Sequence, residues 1–392
     1  MSDWQECKLG NVAKVQTGPF GSQLHQSDYK FTGTPIITVE HIGDNRIIHS
    51  DLPLVGEEDR ARLIKYSLKT GDVIFSRVGS VDRCAYIHES ENGWMFSGRL
   101  LRVRGEPEKV DSRFLSFYFS QESFKETIRM IAVGATMPSI NTEILSNVDV
   151  LLPPLPEQRA IAGVLSSLDD KIDLLHRQNK TLEAMAETLW RKMFVEEAQA
   201  GWNEKGLDEI ANFLNGLPCQ KYPPNSSTEP LPVIKIKELR TGITDDSDMA
   251  NSDVPTEYIV NDGDILFSWS GSLEIIIWSG GKGLLNQHLF KVTSNEYPKW
   301  FFFYWIKHHL ADFRNIAEDK ATTMGHIQRH HLVDAKVLIT DDNSFKYLDR
   351  QISPLFEKMT LNLINVRKLM SLRNLLLPKL ISGEVRVKRE SA

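Results

Sequence analysis

The polar side chains of this 392-residue chain indicate binding rather than catalysis. The glycine-rich run Gly280–Gly283 lacks the spacing of a phosphate-binding loop, and no G-x-G-x-x-G follows a strand-like segment. His326, His330 and His331 have helix-like spacing, but neither an H-E-x-x-H motif nor a nearby cysteine accompanies them. A histidine cluster that faces solvent or DNA is therefore favoured over a metal site. We expect no catalytic residue and no bound metal in this chain.

Two corresponding loops carry tips of different chemistry. Residues 76–83 supply Arg77 and Arg83 around a glycine, whereas residues 268–272 supply Trp269 in place of Arg77. Arginine can form paired hydrogen bonds with guanine, and asparagine or glutamine can do so with adenine. Any one of these side chains could equally be a solvated turn residue, but the set as a whole favours a DNA-binding surface. The predicted DNA-binding residues are Thr17, Ser22, Gln23, Arg77, Ser80, Arg83, Arg99, Ser139, Asn141, Lys235, Lys237, Trp269, Ser270, Ser272, Gln287, His288, His326, Gln328 and Arg329.

These loops belong to a long internal repeat. Residues 135–140 (ATMPSI) correspond to residues 322–327 (TTMGHI) at a shift of 322 − 135 = 187, and the same shift relates the helical segments 168–194 and 355–381. Further upstream the shift drifts, as expected when loops between fixed elements change length. The first copy predicts strands at Pro35–Ile42 and Asp72–Arg77 and a helix with a serine cap at Ser112–Ile131. The second copy predicts the corresponding strands at Leu231–Leu239 and Gly263–Ser268 and the corresponding helix at Pro298–Ile316.

Each copy ends in a long helix whose apolar residues step by three and four, which predicts two helices packed antiparallel as a coiled coil. Each seam contains one asparagine, and the predicted register places Asn179 opposite Val366 and Asn362 opposite Leu175. Pro378 is expected to end or kink the second helix one turn early. The predicted spacer and subunit-interface residues are Leu168, Ile172, Leu175, Asn179, Leu182, Leu189, Leu355, Met359, Asn362, Val366, Leu369 and Leu376.

Composition places the chain among ordinary globular proteins, because 41% of its residues are hydrophobic and 25% are charged. A formal charge of −6 argues against polyanion binding through bulk charge but allows local basic surfaces. Three scattered cysteines fit a reducing compartment. The first ten residues lack a signal pattern and no apolar run reaches membrane length, so we expect a cytoplasmic protein that makes no membrane contact.

Over nearly its whole length the chain resembles the specificity subunit of type I restriction-modification systems. The most specific match is LPPLPEQRAI at residues 152–161, which leads into the first long helix. GDVIFSRVGS at residues 71–80 and GDILFS at residues 263–268 look like the strand-loop signature of target-recognition domains, and LLPKLISGE at residues 376–384 looks like the end of the second spacer helix. The second copy departs from the pattern where DDNS at residues 341–344 replaces the proline pair.

The resemblance implies an α+β fold with two pseudo-two-fold-related α/β target-recognition domains separated by two long antiparallel coiled-coil spacer helices. The expected ranges are 1–152 for target-recognition domain 1, 153–198 for the central spacer helix, 199–342 for target-recognition domain 2, 343–385 for the C-terminal spacer helix and 386–392 for the tail.

The function that the resemblance implies is non-catalytic. Each domain would read half of a split asymmetric DNA site, and the spacers would set the gap and dock two modification subunits. Those subunits would use S-adenosylmethionine to methylate adenine, and two restriction subunits would use ATP and Mg²⁺, so no cofactor is expected on this chain. The alternatives are a coiled-coil scaffold and an orphan methyltransferase specificity adaptor without a nuclease partner.

Overall fold

A computed structural model describes residues 3–21, 23–199, 201–226, 229–319 and 325–387. They form two compact units, the first built from residues within 1–170 and 371–392 and the second from residues within 171–370. The fold is α+β, and each long helix contributes one part to each unit. Among the helices of the described residues, none is both long enough and apolar enough to cross a membrane.

The first unit pairs a four-stranded antiparallel sheet of order β2-β9-β6-β7 with a smaller sheet of order β3-β5-β4-β8. The helices after β9 pack on the larger sheet because Phe114, Phe119 and Phe124 enter the same core as Phe75. The strands are β1 (Gln5–Lys8), β2 (Ala13–Thr17), β3 (Tyr29–Lys30), β4 (Thr34–Ile37), β5 (Leu54–Val55), β6 (Val73–Ser76), β7 (Cys84–Tyr86), β8 (Met95–Phe96), β9 (Leu100–Gly105) and β10 (Asp149–Leu152). The helices are α1 (Glu57–Arg62), α2 (Ser112–Ser120), α3 (Glu122–Ile131), α4 (Thr142–Ser146) and α5 (Leu155–Arg191).

The second unit repeats the larger sheet in the order β12-β19-β16-β17. Its other sheet, of order β14-β13-β18-β15, has its added edge strand beside β18 rather than on the opposite edge, where β3 lies in the first unit. The core of the second unit is richer in aromatic side chains, since the α8 segment WFFFYWI at residues 300–306 is wholly buried. The strands are β11 (Asn203–Gly206), β12 (Asn212–Asn215), β13 (Leu231–Ile234), β14 (Met249–Ala250), β15 (Ile259–Val260), β16 (Ile265–Ser268), β17 (Ile275–Ile277), β18 (Gly283–Leu285), β19 (Leu289–Thr293) and β20 (Lys336–Ile339). The helices are α6 (Leu207–Ile210), α7 (Ile236–Thr241), α8 (Lys299–Asp319), α9 (Arg329–Asp334) and α10 (Asp342–Ile381).

Several element boundaries differ from the sequence predictions. The helix predicted at 112–131 is broken at Gln121, whose backbone is extended, and its cap is Asp111, whose carboxylate accepts the Phe114 N–H at 2.9 Å. The strands predicted to reach Ile42 and Leu239 end at β4 and β13, because a 3-10 turn follows the first and α7 follows the second. The helix α10 continues through Pro378 to Ile381.

The two long helices pack antiparallel, as the heptad pattern predicts. In the second unit Ile172, Leu175 and Val366 form one buried cluster. The predicted asparagine register is wrong: Asn362 Nδ2 donates to Asn179 Oδ1 at 2.9 Å, and Asn179 Nδ2 donates to the Met359 carbonyl at 3.1 Å. The two asparagines therefore share one hydrogen bond in the seam instead of each opposing an apolar residue, which lowers the cost of burying them.

Candidate nucleic-acid interface

The Gly-Asp pair before β6 shapes the start of the hairpin that carries the first candidate loop. Gly71 has φ of +93°, a conformation that favours glycine. The Asp72 carboxylate is buried, accepts the Lys69 N–H at 2.8 Å and pairs with the Arg104 guanidinium at 2.6 Å. Asp72 is therefore a structural anchor for the strand and is held away from any ligand.

The second unit builds the same turn from different cations. Gly263 has φ of +85°, and the Asp264 carboxylate accepts the Asn261 N–H at 2.9 Å. Its partner on β19 is Lys291, at 3.2 Å. The repeated Gly-Asp signature thus maintains the frame in both units, which explains why it stands beside loops whose tips differ.

Four loops of the first unit meet at one edge, and we call this edge the first reading face: residues 17–23, 76–83, 97–99 and 133–141. The Arg77 N–H donates to the Arg99 carbonyl at 2.8 Å, and the Arg77 carbonyl accepts from the Ile140 N–H at 3.0 Å. The Gly79 N–H donates to the Pro138 carbonyl at 2.9 Å. Three of the four loops are therefore joined through main-chain bonds, whatever side chains they carry.

Two glycines let the remaining loop approach. A Cβ at Gly18 would lie 2.2 Å from the Ser97 carbonyl oxygen, and a Cβ at Gly98 would lie 2.3 Å from the Pro19 carbonyl oxygen. Neither position has room for a side chain, because the obstructing atoms are backbone. Residues 18–19 and 97–98 are thus packed main chain against main chain.

Arg77 and Arg99 are the cations that this face presents. Arg77 is half-buried, with its guanidinium 5.3 Å from the centre of the exposed Phe20 ring and a long Nη1 bond of 3.4 Å to the Gly98 carbonyl. Arg99 is exposed, as is Ser80 at the tip of its loop. A guanidinium has five donors, so Arg77 keeps most of its hydrogen-bonding capacity for a ligand.

Other predicted residues of this face are anchors. The Arg83 guanidinium donates to the Ile42 carbonyl, and the Gln23 Oε1 accepts from a tyrosine hydroxyl at 2.8 Å. Asn141 caps α4 through the Ile144 N–H at 2.8 Å. Ser139 Oγ donates to the Val133 carbonyl at 3.2 Å, and Thr17 is half-buried at the end of β2. Ser22 lies outside the described residues.

Arg129 is a positioning residue that the sequence did not reveal. Its guanidinium, on α3, contacts the Asp82 carboxylate at 2.6 Å and also pairs with Glu122. Asp82 belongs to the 76–83 loop, so this ion pair ties the loop to the helix. The contact spans 47 residues, and no local motif signals it.

The second reading face consists of residues 215–217, 268–272, 286–288 and 325–329 and uses the same frame. The Trp269 N–H faces the His288 carbonyl at 3.5 Å, and the Trp269 carbonyl accepts from the Ile327 N–H at 3.0 Å. The Gly271 N–H donates to the Gly325 carbonyl at 3.0 Å. These three contacts match those of Arg77 and Gly79 one for one.

Trp269 differs from Arg77 because its single donor is already used. Its Nε1 lies 3.0 Å from the Asn215 Oδ1 and 3.2 Å from the Gln287 carbonyl. Ser270 Oγ lies 3.1 Å from Nδ1 of His288, and Nε2 of Gln287 lies 3.4 Å from Nε2 of the same ring. The Trp269 indole ring is thus held in place by hydrogen bonds and packs beside Gln287 and His288.

The remaining candidates of the second unit are mixed. Lys235 is paired with Asp248, whereas Lys237 and Ser272 are exposed. His326 lies 6.2 Å from the Trp269 ring, centre to centre. Gln328 and Arg329 are exposed, with Gln328 donating its N–H to a histidine ring at 2.9 Å.

Acidic residues around Arg329 reduce the positive potential of this surface. Arg329 and His330 line an open depression together with Asp208, Glu209 and Glu296. Residues 324–331 are the densest cationic and hydrogen-bonding stretch of the sequence and are predicted to be its best local DNA-binding patch, and residue 324 lies outside the described residues.

The predicted spacer side chains mostly face inward. Met359 belongs to the core of the second unit, and Leu182, Leu189 and Leu355 pack against that core. Ile172, Leu175, Val366 and Leu369 contact one another, Leu376 packs on the core of the first unit, and Leu168 is half-buried. The outward faces carry other exposed apolar residues: Leu174, Met185, Leu361, Met370, Leu372 and Leu375.

Residues 1–184 match the family model of the type I restriction modification DNA specificity domain. The chain is 26% identical over 306 residues to the type I restriction enzyme MjaIX specificity subunit of Methanocaldococcus jannaschii, which covers 71% of this chain and 70% of the relative. It is 20% identical over 474 residues to the HindI specificity subunit of Haemophilus influenzae, covering 98% of this chain and 100% of the relative.

This chain resembles the type I specificity subunits. Its fold is that of the type I restriction-modification S subunit from M. genitalium, with a TM-score of 0.66 at 15% identity over 99% of this chain and 97% of that one. Specificity subunits are non-catalytic, and DNA recognition is the general function of the family. The match to the family model covers the whole first reading face and most of α5, which begins within the motif at residues 152–161.

Proposed function

We propose that this chain reads a split, asymmetric DNA site, with the first reading face contacting one half-site and the second contacting the other. The supporting observation is the shared frame: the same three main-chain contacts hold Arg77 in one unit and Trp269 in the other. A common frame with different tips can address two different base sequences through equivalent approaches to the groove.

The two long helices are the proposed ruler and docking surface. A helix of the 37 residues of α5 is about 56 Å long at about 1.5 Å per residue. Its seam is fixed by the Asn179–Asn362 pair, and its outward side carries Leu174 and Met185. Exposed apolar residues on such a helix suit packing against the helices of a partner, here two modification subunits.

Chemistry is assigned to the partners. In this proposal the modification subunits bind S-adenosylmethionine and methylate adenine, and two restriction subunits use ATP and Mg²⁺. The chain itself supplies sequence selection and contributes no cofactor-binding residue.

The proposal is tested by sequencing the methylome of a restriction-deficient host that expresses this chain with its modification subunits. Methylated adenines should occur in one bipartite sequence with a fixed gap, and only when this chain is present. A host expressing the modification subunits alone is the control. Methylation of a continuous site, or methylation independent of this chain, would refute the proposal.

A further inference from the structure

The first reading face carries an apolar finger, residues 133–139, that none of the assigned roles uses. Val133 and Ser139 exchange two main-chain hydrogen bonds of 2.9 Å each, which close the base of the finger. At Gly134 φ is +109°, and a Cβ there would lie 2.8 Å from the Met137 carbonyl oxygen, so the tight tip requires glycine. The finger is therefore a shaped, closed loop.

The tip of the finger is apolar and exposed. Met137 is 65% exposed and Val133 is 63% exposed, and the sequence VGATMPS contains no charged residue. The closed loop holds the Met137 side chain in solvent, so this apolar side chain does not contribute to the hydrophobic core of its own unit. Exposed apolar side chains of this kind mark contact surfaces.

The finger is attached directly to the loop that carries Arg77. The Gly79 N–H donates to the Pro138 carbonyl at 2.9 Å, and Val78 bridges Ser139. Met137 is thus one residue from an anchor to the arginine-bearing loop. Because the finger lacks charge, it adds no ionic attraction to phosphates, whereas the neighbouring arginines do.

The helix end that precedes the finger is more apolar in the first copy than in the second. Met130 and Ile131, at the end of that helix, are both exposed. At the shift of 187 their counterparts are Ala317, which is buried, and Glu318. Met137 itself has a methionine, Met324, at the corresponding position of the sequence. The exposed pair Met130 and Ile131 is therefore a feature of the first copy.

We propose that Met137 inserts between bases of the first half-site and unstacks one base step. The inference rests on the proposed function and adds a mechanical role to base reading. Methionine is among the side chains that proteins use as wedges between base steps. Methyltransferases must extrude their target base from the stack, and a wedge supplied by the specificity subunit would lower the cost of that step for its partner.

The test uses the complete methyltransferase complex and target duplexes in which 2-aminopurine replaces one base at a time in the first half-site, excluding the methylated adenine. Unstacking raises the fluorescence of 2-aminopurine. The wild-type complex should give an enhancement at one position, Met137→Ser should lose it, and Met137→Leu should retain it because its apolar volume is similar. Met249→Ser removes another exposed methionine, on β14, and should retain the enhancement.

Anisotropy titrations of the same duplexes separate the two proposals. If the wild-type complex does not distinguish its target from a scrambled duplex, the proposed function itself fails. If it does distinguish them, equal enhancement with Met137→Ser, or no enhancement with wild type, overturns the wedge alone. Loss of complex assembly in Met137→Ser, seen by size-exclusion chromatography, would show that the finger contacts a modification subunit and would also overturn it.

Discussion

Replacing Arg77 with alanine tests whether the first reading face recognises a base. Among the described residues, its guanidinium makes a 3.4 Å contact with the Gly98 carbonyl and a ring contact with Phe20. Loss of an exposed cation–π contact costs about 0.5–1 kcal/mol of stability, so Arg77→Ala should fold. A bidentate arginine–guanine contact contributes about 1–3 kcal/mol of discrimination, which corresponds to roughly a 5- to 150-fold loss of affinity.

The assay is anisotropy titration of the methyltransferase complex at one fixed salt concentration. The duplexes are the target and a set in which each base pair of the first half-site is changed in turn. Wild type should be sensitive to one pair that Arg77→Ala no longer distinguishes. Arg60→Ala, which removes an arginine paired with Glu57 on α1, should behave as wild type. The reasoning is wrong if Arg77→Ala binds every duplex as wild type does, or weakens all of them equally, since the latter indicates a phosphate contact.

Three further predictions concern the frame. Asn362→Leu leaves Oδ1 of the half-buried Asn179 without its donor and should lower the free energy of unfolding by about 0.5–1.5 kcal/mol. The double change to leucine at both positions should recover most of that loss, and additive losses in denaturant titrations would contradict the pairing. One heptad inserted into each of α5 and α10 lengthens each helix by about 10 Å. At about 3.4 Å per base pair, methylome sequencing should show a gap between the half-sites that is about three base pairs longer. An unchanged gap would exclude the proposal that the helices set its length. Burial lowers the pKa of His309 from its usual 6.5, so the unfolded chain binds more protons and stability falls as pH drops below that value. The drop in Tm between pH 7.5 and 5.5 should therefore be smaller in His309→Gln than in wild type. Equal drops would show that His309 does not contribute to the pH dependence of stability.

The sequence predicted what depends on local spacing. The heptad steps of the two long segments predicted α5 and α10 and their antiparallel packing, and the repeated Gly-Asp-apolar signal predicted β6 and β16. The family was recognisable because the proline-rich motif at residues 152–161 and the repeat occur together. The motifs are each contiguous in the chain, and the repeat appears when the sequence is compared with itself, so both can be read without knowing the fold.

What the sequence did not reveal depends on long-range contacts. Trp269 was predicted to contact DNA, but its donor is used by Asn215, 54 residues away, and Arg83 is held by Ile42, 41 residues away. The seam register was wrong because the heptad steps fit several offsets between two helices. The observed offset lets Asn362 Nδ2 donate to Asn179 Oδ1 and Asn179 Nδ2 donate to the Met359 carbonyl.

The central claim is that two equivalent frames read two different half-sites. Its most direct test is methylome sequencing of two hosts in parallel, one expressing Arg99→Ala in the first face and the other expressing His288→Ala in the second. The account predicts that each variant relaxes base selection in one half of the bipartite site, that the two variants affect different halves, and that the gap is unchanged. Relaxation of the same half by both variants, or of neither half, would contradict it.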